Sequence, residues 1–235
     1  MKKFVRVLTP AALCVLLCCT LVACGASSGA SKNADPNTVT TKASGEYATG
    51  THHAVVKVEG YDPFTIELYA DYAPVTVANF CDLAQSGYYD GLKFYRIVEG
   101  FCLQGGTKGN SSAGNDATLP PIIGEFYEND VDNPLADEFR RGTVAMARTG
   151  VYNSAKTTFF ITLATTENVS QSLDGQYAAF GCVMDGMDVV DRIVNQPRNM
   201  MTNKPKKDQI MVKVTVDTQG ETYPEPDKLA DPFGR

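Results

Sequence analysis

The segment 94–106, with the sequence FYRIVEGFCLQGG, constrains the fold of this chain more than any other. Apolar residues flank a Glu99-Gly100 turn signal and a glycine pair ends the segment, which predicts two short strands joined by a tight turn. Arg96 precedes the turn, and Phe101 and Gln104 follow it. A fixed cation, an amide and an aromatic wall, without a nucleophile beside a base, suit a reaction in which no covalent bond is made or broken.

Strand patterns recur along the chain, whereas helical patterns are rare. Pro74 opens one predicted helix, which Gly87 closes, and residues 188–194 form a second. Short strands in this number, with two helices, indicate an all-β barrel or sandwich. The predicted strands are 54–58, 64–69, 94–98, 101–104, 142–147, 159–164, 178–183 and 209–217.

Four motifs resemble, in order, those of the cyclophilins, the peptidyl-prolyl cis/trans isomerases. They lie at 94–106, 141–149, 157–161 and 173–181, and the resemblance extends from about residue 54 to about residue 218. In the first motif Tyr95 stands where the family has a histidine, and Cys102 where it has a methionine. The resemblance implies an isomerase of X-Pro bonds. Its domain, residues 52–218, would be a closed eight-stranded antiparallel β-barrel capped by two α-helices.

The resemblance also implies the residues of the active site. Arg96 would be the catalytic hydrogen-bond donor, Gln104 would bind the substrate backbone, and Phe101 completes the catalytic set. Taken without the motifs, the same residues also fit a surface ion pair, a local turn cap and ordinary core. The substrate-binding residues implied by motif position are Cys102, Thr149, Thr158, Phe160, Leu173 and Tyr177.

The chain departs from the family pattern near this site. Arg148-Thr149 replaces an asparagine-alanine pair, Thr158 replaces a glutamine, and Tyr177 replaces a histidine. Ser172 stands where many members have a tryptophan whose indole helps to bind cyclosporin. Weak binding of cyclosporin is therefore expected.

Neither a cofactor nor a metal is expected. The cysteine spacing fits no zinc or Cys-X-X-Cys pattern, and the acidic run 128–133 lacks the glycine and final glutamate of a calcium loop. The expected partners are proline-containing unfolded or extended polypeptides. Two other functions remain open: a non-catalytic prolyl-peptide binding module or chaperone on the same fold, and a structural or adhesive surface lipoprotein.

Residues 1–23 predict a lipoprotein signal peptide. Three basic residues precede an apolar stretch, 7–22, that is shorter than the roughly 20 residues of a spanning helix. The sequence LVAC at 21–24 resembles a bacterial lipobox, which predicts lipidation of Cys24 and a flexible tether over 24–51. The lipid would hold the protein at the extracytoplasmic face of the cell membrane. An uncleaved anchor or an ordinary secretory signal are the alternatives.

Charge and composition restrict the remaining possibilities. Cleavage before Cys24 removes three of the 21 basic residues and none of the 27 acidic ones, leaving a net charge of −9. This charge argues against nucleic acid and anionic lipid as electrostatic partners. A monomer is expected. Residues 219–235 predict a disordered tail, and His52 and His53 predict a solvated pair.

Three cysteines remain in the predicted domain, Cys81, Cys102 and Cys182. We expect them to be buried, reduced thiols; one disulfide with one free thiol is the alternative.

Overall fold

The computed structural model describes residues 47–109, 116, 118–220, 223 and 225–230. The predicted signal peptide, Cys24 and the tether up to residue 46 lie outside these ranges. The strands are β1 Thr51–Val58, β2 Phe64–Tyr69, β3 Lys93–Val98, β4 Cys102–Gly105, β5 Thr143–Met146, β6 Phe159–Thr162, β7 Ala179–Asp185 and β8 Gln209–Asp217. The α-helices are α1 Pro74–Gln85, α2 Glu167–Leu173 and α3 Met187–Val194, and a 3-10 helix spans Tyr127–Asn129.

The eight strands close into one antiparallel barrel. Their order around it is β1-β2-β7-β5-β6-β4-β3-β8, and β8 pairs back onto β1. The predicted barrel is therefore confirmed, and each predicted strand matches an observed one to within three residues at either end. The short helix α2 was not predicted. Thr166 caps this helix by accepting a hydrogen bond from the Val169 amide. The asparagine and serines within the helix are weak helix formers, so the sequence gives little sign of it.

Strand alternation fills the barrel interior. In β1 every second residue from Ala54 to Val58 is fully buried, and β2 buries Phe64, Ile66 and Leu68 in the same way. Helix α1 closes one side of this core, where the Phe80 ring lies 5.2 Å from Phe180 and 5.6 Å from Phe159. Each of these side chains contributes roughly 1.5–3 kcal/mol by leaving water.

A second apolar cluster lies outside the barrel, against β4 and β6. Because successive residues of a strand face opposite sides, Leu103, Phe159 and Ile161 point into the barrel while Cys102 and Phe160 point away from it. The outward residues are covered by side chains from the loops and from α2. The buried members of this outer cluster are Cys102, Phe126, Ala136, Phe139, Ala145, Phe160, Val169, Leu173, Ala178 and Ala179.

The buried carboxylate of Glu125 caps α1. It accepts hydrogen bonds from the amides of Val75 and Thr76, at 3.1 and 2.8 Å, and from the Thr76 hydroxyl at 2.6 Å. The carboxylate thus accepts from amides that have no hydrogen-bond partner within the helix, because they lie in its first turn. Burial nevertheless raises the pKa of Glu125 to about 7, because the ionised form has lost its water.

The two ends of the described chain pack on the barrel. The Tyr47 hydroxyl accepts a hydrogen bond from the Asp227 amide, the Leu229 amide donates to the Pro121 carbonyl, and Lys228 Nζ lies 2.5 Å from Asn79 Oδ1. Residues of the tail expected to be disordered thus contact the rest of the domain, as does Tyr47, which precedes the expected domain start at residue 52.

His52 is buried rather than solvated. It lies within β1, is 2% exposed, and its ring is 5.3 Å from that of Tyr223. The predicted solvated pair is therefore wrong at this residue, because the tail covers it.

Candidate active site

A cavity of about 160 Å³ opens on the outer face of the barrel, above the outer cluster. Strands β3, β4 and β6 form its floor and one wall. The loop after β5, the end of α2 and the loop before β7 form the other walls. Its lining residues are Arg96, Phe101, Cys102, Gln104, Ala147, Arg148, Phe160, Leu173 and Tyr177.

A β-bulge in β3 directs Arg96 to the cavity. Phe94 pairs with Gly105 and Arg96 with Gln104, so Tyr95 is an extra residue between them. Phe94 and Ile97 both belong to the barrel core, although they are three positions apart, a spacing that in a regular strand puts side chains on opposite faces. The extra residue thus places two consecutive polar side chains, Tyr95 and Arg96, on the outer face.

Hydrogen bonds hold Arg96 in place. Its Nη1 donates to Gln104 Oε1 at 2.9 Å and lies 3.3 Å from Cys102 Sγ. Gln104 Nε2 in turn donates to the Tyr95 hydroxyl at 2.8 Å. Burial raises the pKa of Tyr95, so its hydroxyl remains protonated at neutral pH. The side-chain amide therefore orients a permanently charged, planar guanidinium at the cavity wall.

Beneath the guanidinium the cavity is apolar. The Phe160 ring is 5% exposed, stacks on Phe139 at 6.2 Å between centroids and meets Tyr177 edge-on at 5.7 Å. Leu173 closes the far side. Cys102 acts here as a small apolar residue, because burial raises the pKa of its thiol to about 11.

Seven of the nine predicted site residues lie around this cavity, and two do not. The Thr149 side chain is turned into the loop that follows β5, where its hydroxyl hydrogen-bonds Ser154 Oγ at 2.8 Å. Thr158, directly before β6, is 2% exposed and does not line the cavity. The structure thus does not bring these two side chains to the cavity that the other seven share: motif position located their backbone but not the direction of their side chains.

Three residues of the site were not assigned a role from the sequence. Ala147 and Arg148 occupy the wall expected for Thr149, and Tyr95 orients the amide of Gln104. The Arg148 guanidinium lies within 5.2 Å of three ring centroids, those of Phe126, Tyr152 and Tyr177. The sequence signal that could have identified Arg148 as a site residue is its position in the second motif, two residues after the end of β5.

The described ranges contain no group of three or more histidine, cysteine or acidic side chains placed to hold a metal. Cys81, Cys102 and Cys182 are unpaired, the first two buried and the third half-buried. A helix both long and apolar enough to cross a membrane is not found within the described residues.

The family model for cyclophilin type peptidyl-prolyl cis-trans isomerase/CLD matches residues 53–216. The chain belongs to this family. The fold and the enzyme class predicted from the four motifs are thereby confirmed.

Similar proteins include peptidyl-prolyl cis-trans isomerases of two bacteria. Peptidyl-prolyl cis-trans isomerase B of Escherichia coli is 38% identical over 173 residues, which cover 71% of this chain and 96% of that protein. A peptidyl-prolyl cis-trans isomerase of Acinetobacter baylyi is 38% identical over 155 residues, covering 64% and 78%.

Two crystal structures of a Cryptosporidium parvum cyclophilin type isomerase share the fold at 26% identity. One has a TM-score of 0.62 and covers 72% of this chain and 98% of its own. The other, obtained in the presence of the dipeptide Ala-Pro, has a TM-score of 0.61 and covers 70% and 98%.

Proposed function

We propose that this domain isomerises X-Pro bonds in exported, unfolded polypeptides and assists their folding at the outer face of the membrane. The observation that carries the proposal is the Arg96 guanidinium, fixed by Gln104 above an apolar cavity large enough for a proline ring.

The reaction needs no covalent intermediate. Rotation about a peptide bond faces a barrier of about 18–20 kcal/mol, because resonance gives the C–N bond double-bond character. At proline the two isomers differ by only about 0.5–1 kcal/mol, so both are populated and exchange slowly. A group that stabilises the twisted, pyramidal nitrogen therefore accelerates exchange in both directions.

Arg96 can supply that stabilisation. Its Nη1 is engaged by Gln104 and Cys102, whereas within the described residues its Nε and Nη2 donate to no acceptor. These donors can reach the prolyl nitrogen of a proline ring seated on Phe160 and Leu173. Preorganised donors act most strongly where water is excluded, and the apolar floor also weakens the charge-separated resonance form of the amide.

A proline-limited refolding or peptide assay tests the reaction. Arg96→Ala should lower kcat/KM about 100-fold, which corresponds to a loss of about 3 kcal/mol of transition-state stabilisation. Arg192→Ala serves as the matched control, because this arginine lies on α3, half exposed, and pairs with Asp62.

A wild-type protein that does not accelerate isomerisation would refute the enzymatic proposal. Peptide binding without acceleration would instead indicate a non-catalytic prolyl-peptide binding module on the same fold.

Membrane anchoring is the second part of the proposal and rests on the lipobox ending at Cys24. A thioether-linked diacylglycerol supplies about 0.8 kcal/mol per buried methylene, enough for stable attachment when two or more chains insert. Fractionation after fatty-acid labelling should show wild type and Cys19→Ala labelled and membrane-bound. Cys24→Ala should be unlabelled, and an unlabelled wild type would contradict the anchor.

A further inference from the structure

The active-site cavity contains two arginines that form no ion pair with a carboxylate of the described chain. Six arginines lie in the described ranges, and four of them pair with an aspartate or glutamate. The other two, Arg96 and Arg148, both line the cavity, and none of the described acidic residues lines it. In a chain with a net charge of −6, the cavity is therefore locally positive.

Arg148 is held rigidly. Its Nε donates to the Gln176 carbonyl at 2.8 Å and its Nη1 to the Thr149 carbonyl at 2.9 Å. Its guanidinium carbon lies 4.6 Å from the Tyr177 ring centroid and 5.0 Å from that of Tyr152. Carbonyls and ring faces neutralise little of its charge, but they fix its position.

Donors of Arg148 remain available for a ligand. A guanidinium has five N–H donors, and the two carbonyls use two of them. Glu128 accepts a hydrogen bond from the Tyr152 hydroxyl at 2.8 Å, and none of the ion pairs of the described residues joins it to Arg148. A planar group with unused parallel donors matches a carboxylate, which it can bind bidentately.

We infer that Arg148 selects substrates that carry an aspartate or glutamate next to the isomerising proline. This inference rests on the proposed function, since it names the substrate class of the same site. Arg96 serves the prolyl nitrogen, and Arg148, on the adjoining wall, binds the flanking carboxylate.

The preference should be expressed in KM rather than in kcat. The flanking side chain does not change during rotation about the X-Pro bond, so Arg148 binds ground state and transition state alike. For a partly exposed bidentate pair we expect a KM about three- to tenfold lower for a glutamate peptide than for its glutamine counterpart. Added salt should reduce this ratio, because the carboxylate site is open to solvent.

Matched peptides test the inference. They differ only in the residue before or after the proline, which is Glu, Gln or Lys, and both kcat/KM and the dissociation constant are measured at low and high salt. Wild type should prefer Glu over Gln over Lys in at least one of the two sets. Arg148→Gln should bring the Glu/Gln ratio close to one, whereas Arg192→Gln, which removes the same charge from α3, should leave it unchanged.

Two results would overturn the inference. One is a wild-type Glu/Gln ratio of one in both sets, and the other is a preference that survives Arg148→Gln. If Arg148→Gln fails to fold, Arg148→Lys replaces it, because an ammonium keeps the charge without the planar fork and should retain only part of the ratio. The dissociation constants decide the preference even without turnover, so its failure is distinct from failure of the isomerase proposal.

Discussion

Replacing Tyr95 with phenylalanine should impair catalysis although Tyr95 does not line the cavity. Its hydroxyl accepts the only hydrogen bond that Gln104 Nε2 donates within the described chain, at 2.8 Å, and Gln104 Oε1 orients Arg96 at 2.9 Å. The substitution preserves the ring and removes one oxygen. It thus frees the amide to rotate, and a rotated amide would present its NH₂ group to the guanidinium.

The expected magnitude follows from one lost hydrogen bond. A neutral bond of this kind contributes about 1 kcal/mol, which corresponds to about a fivefold fall in kcat/KM. The fall should lie in kcat, because a misoriented Arg96 fails at the twisted state while the proline ring still binds on Phe160. Stability should change little, because the phenylalanine keeps the packing of a residue that is 5% exposed.

A double-mutant cycle with Gln104→Ala provides the decisive assay. If Tyr95 acts through Gln104, adding Tyr95→Phe to Gln104→Ala should cost almost nothing further, and the coupling energy should equal the single effect of Tyr95→Phe. Strictly additive losses, or wild-type kcat in Tyr95→Phe, would refute the proposed positioning role.

Three further predictions concern stability. Phe160→Ala should lower the free energy of unfolding by about 3–5 kcal/mol in urea titrations and abolish substrate saturation, because the ring both fills the outer cluster and floors the cavity. Gly105→Ala should lower the melting temperature, since its Cβ would lie 2.6 Å from the Lys93 carbonyl oxygen, whereas Gly150→Ala, with open space around it, should not. The folded protein retains the Glu125 proton at pH values where the unfolded chain has lost it, so stability should fall by up to about 3 kcal/mol between about pH 4.5 and 7. Glu125→Gln should flatten this slope; an equal slope in both proteins would contradict the raised pKa.

Most of the fold is predictable from the sequence because its signals are local. Strand alternation, glycine turns and the proline that starts α1 all act within a few residues, and they located all eight strands and two helices. The tail is different. Lys228 and Asn79 meet across 149 positions of sequence, and Tyr47 and Asp227 across 180. Composition alone marks such a proline-containing segment as disordered, because partners so distant leave no local pattern.

The candidate site shows the same difference between residues set by local sequence signals and residues set by tertiary contacts. Residues on strands, such as Phe160 and Gln104, line the cavity because motif position and strand alternation together set the direction of their side chains. Thr149 does not line it because it lies in a loop, where a hydrogen bond to Ser154 decides the direction of its side chain. The rings around Arg148 come from three separate segments, so their convergence requires the tertiary fold.

The closed barrel has a consequence for the proposed action on unfolded polypeptides. Every strand has a hydrogen-bonded neighbour on both sides, so the sheet within the described residues has no edge strand. An incoming polypeptide therefore cannot extend the sheet by strand addition, the route by which exposed edges recruit other chains into aggregates. The polypeptide substrates proposed for this domain would therefore bind at the cavity, and not along the edge of a strand.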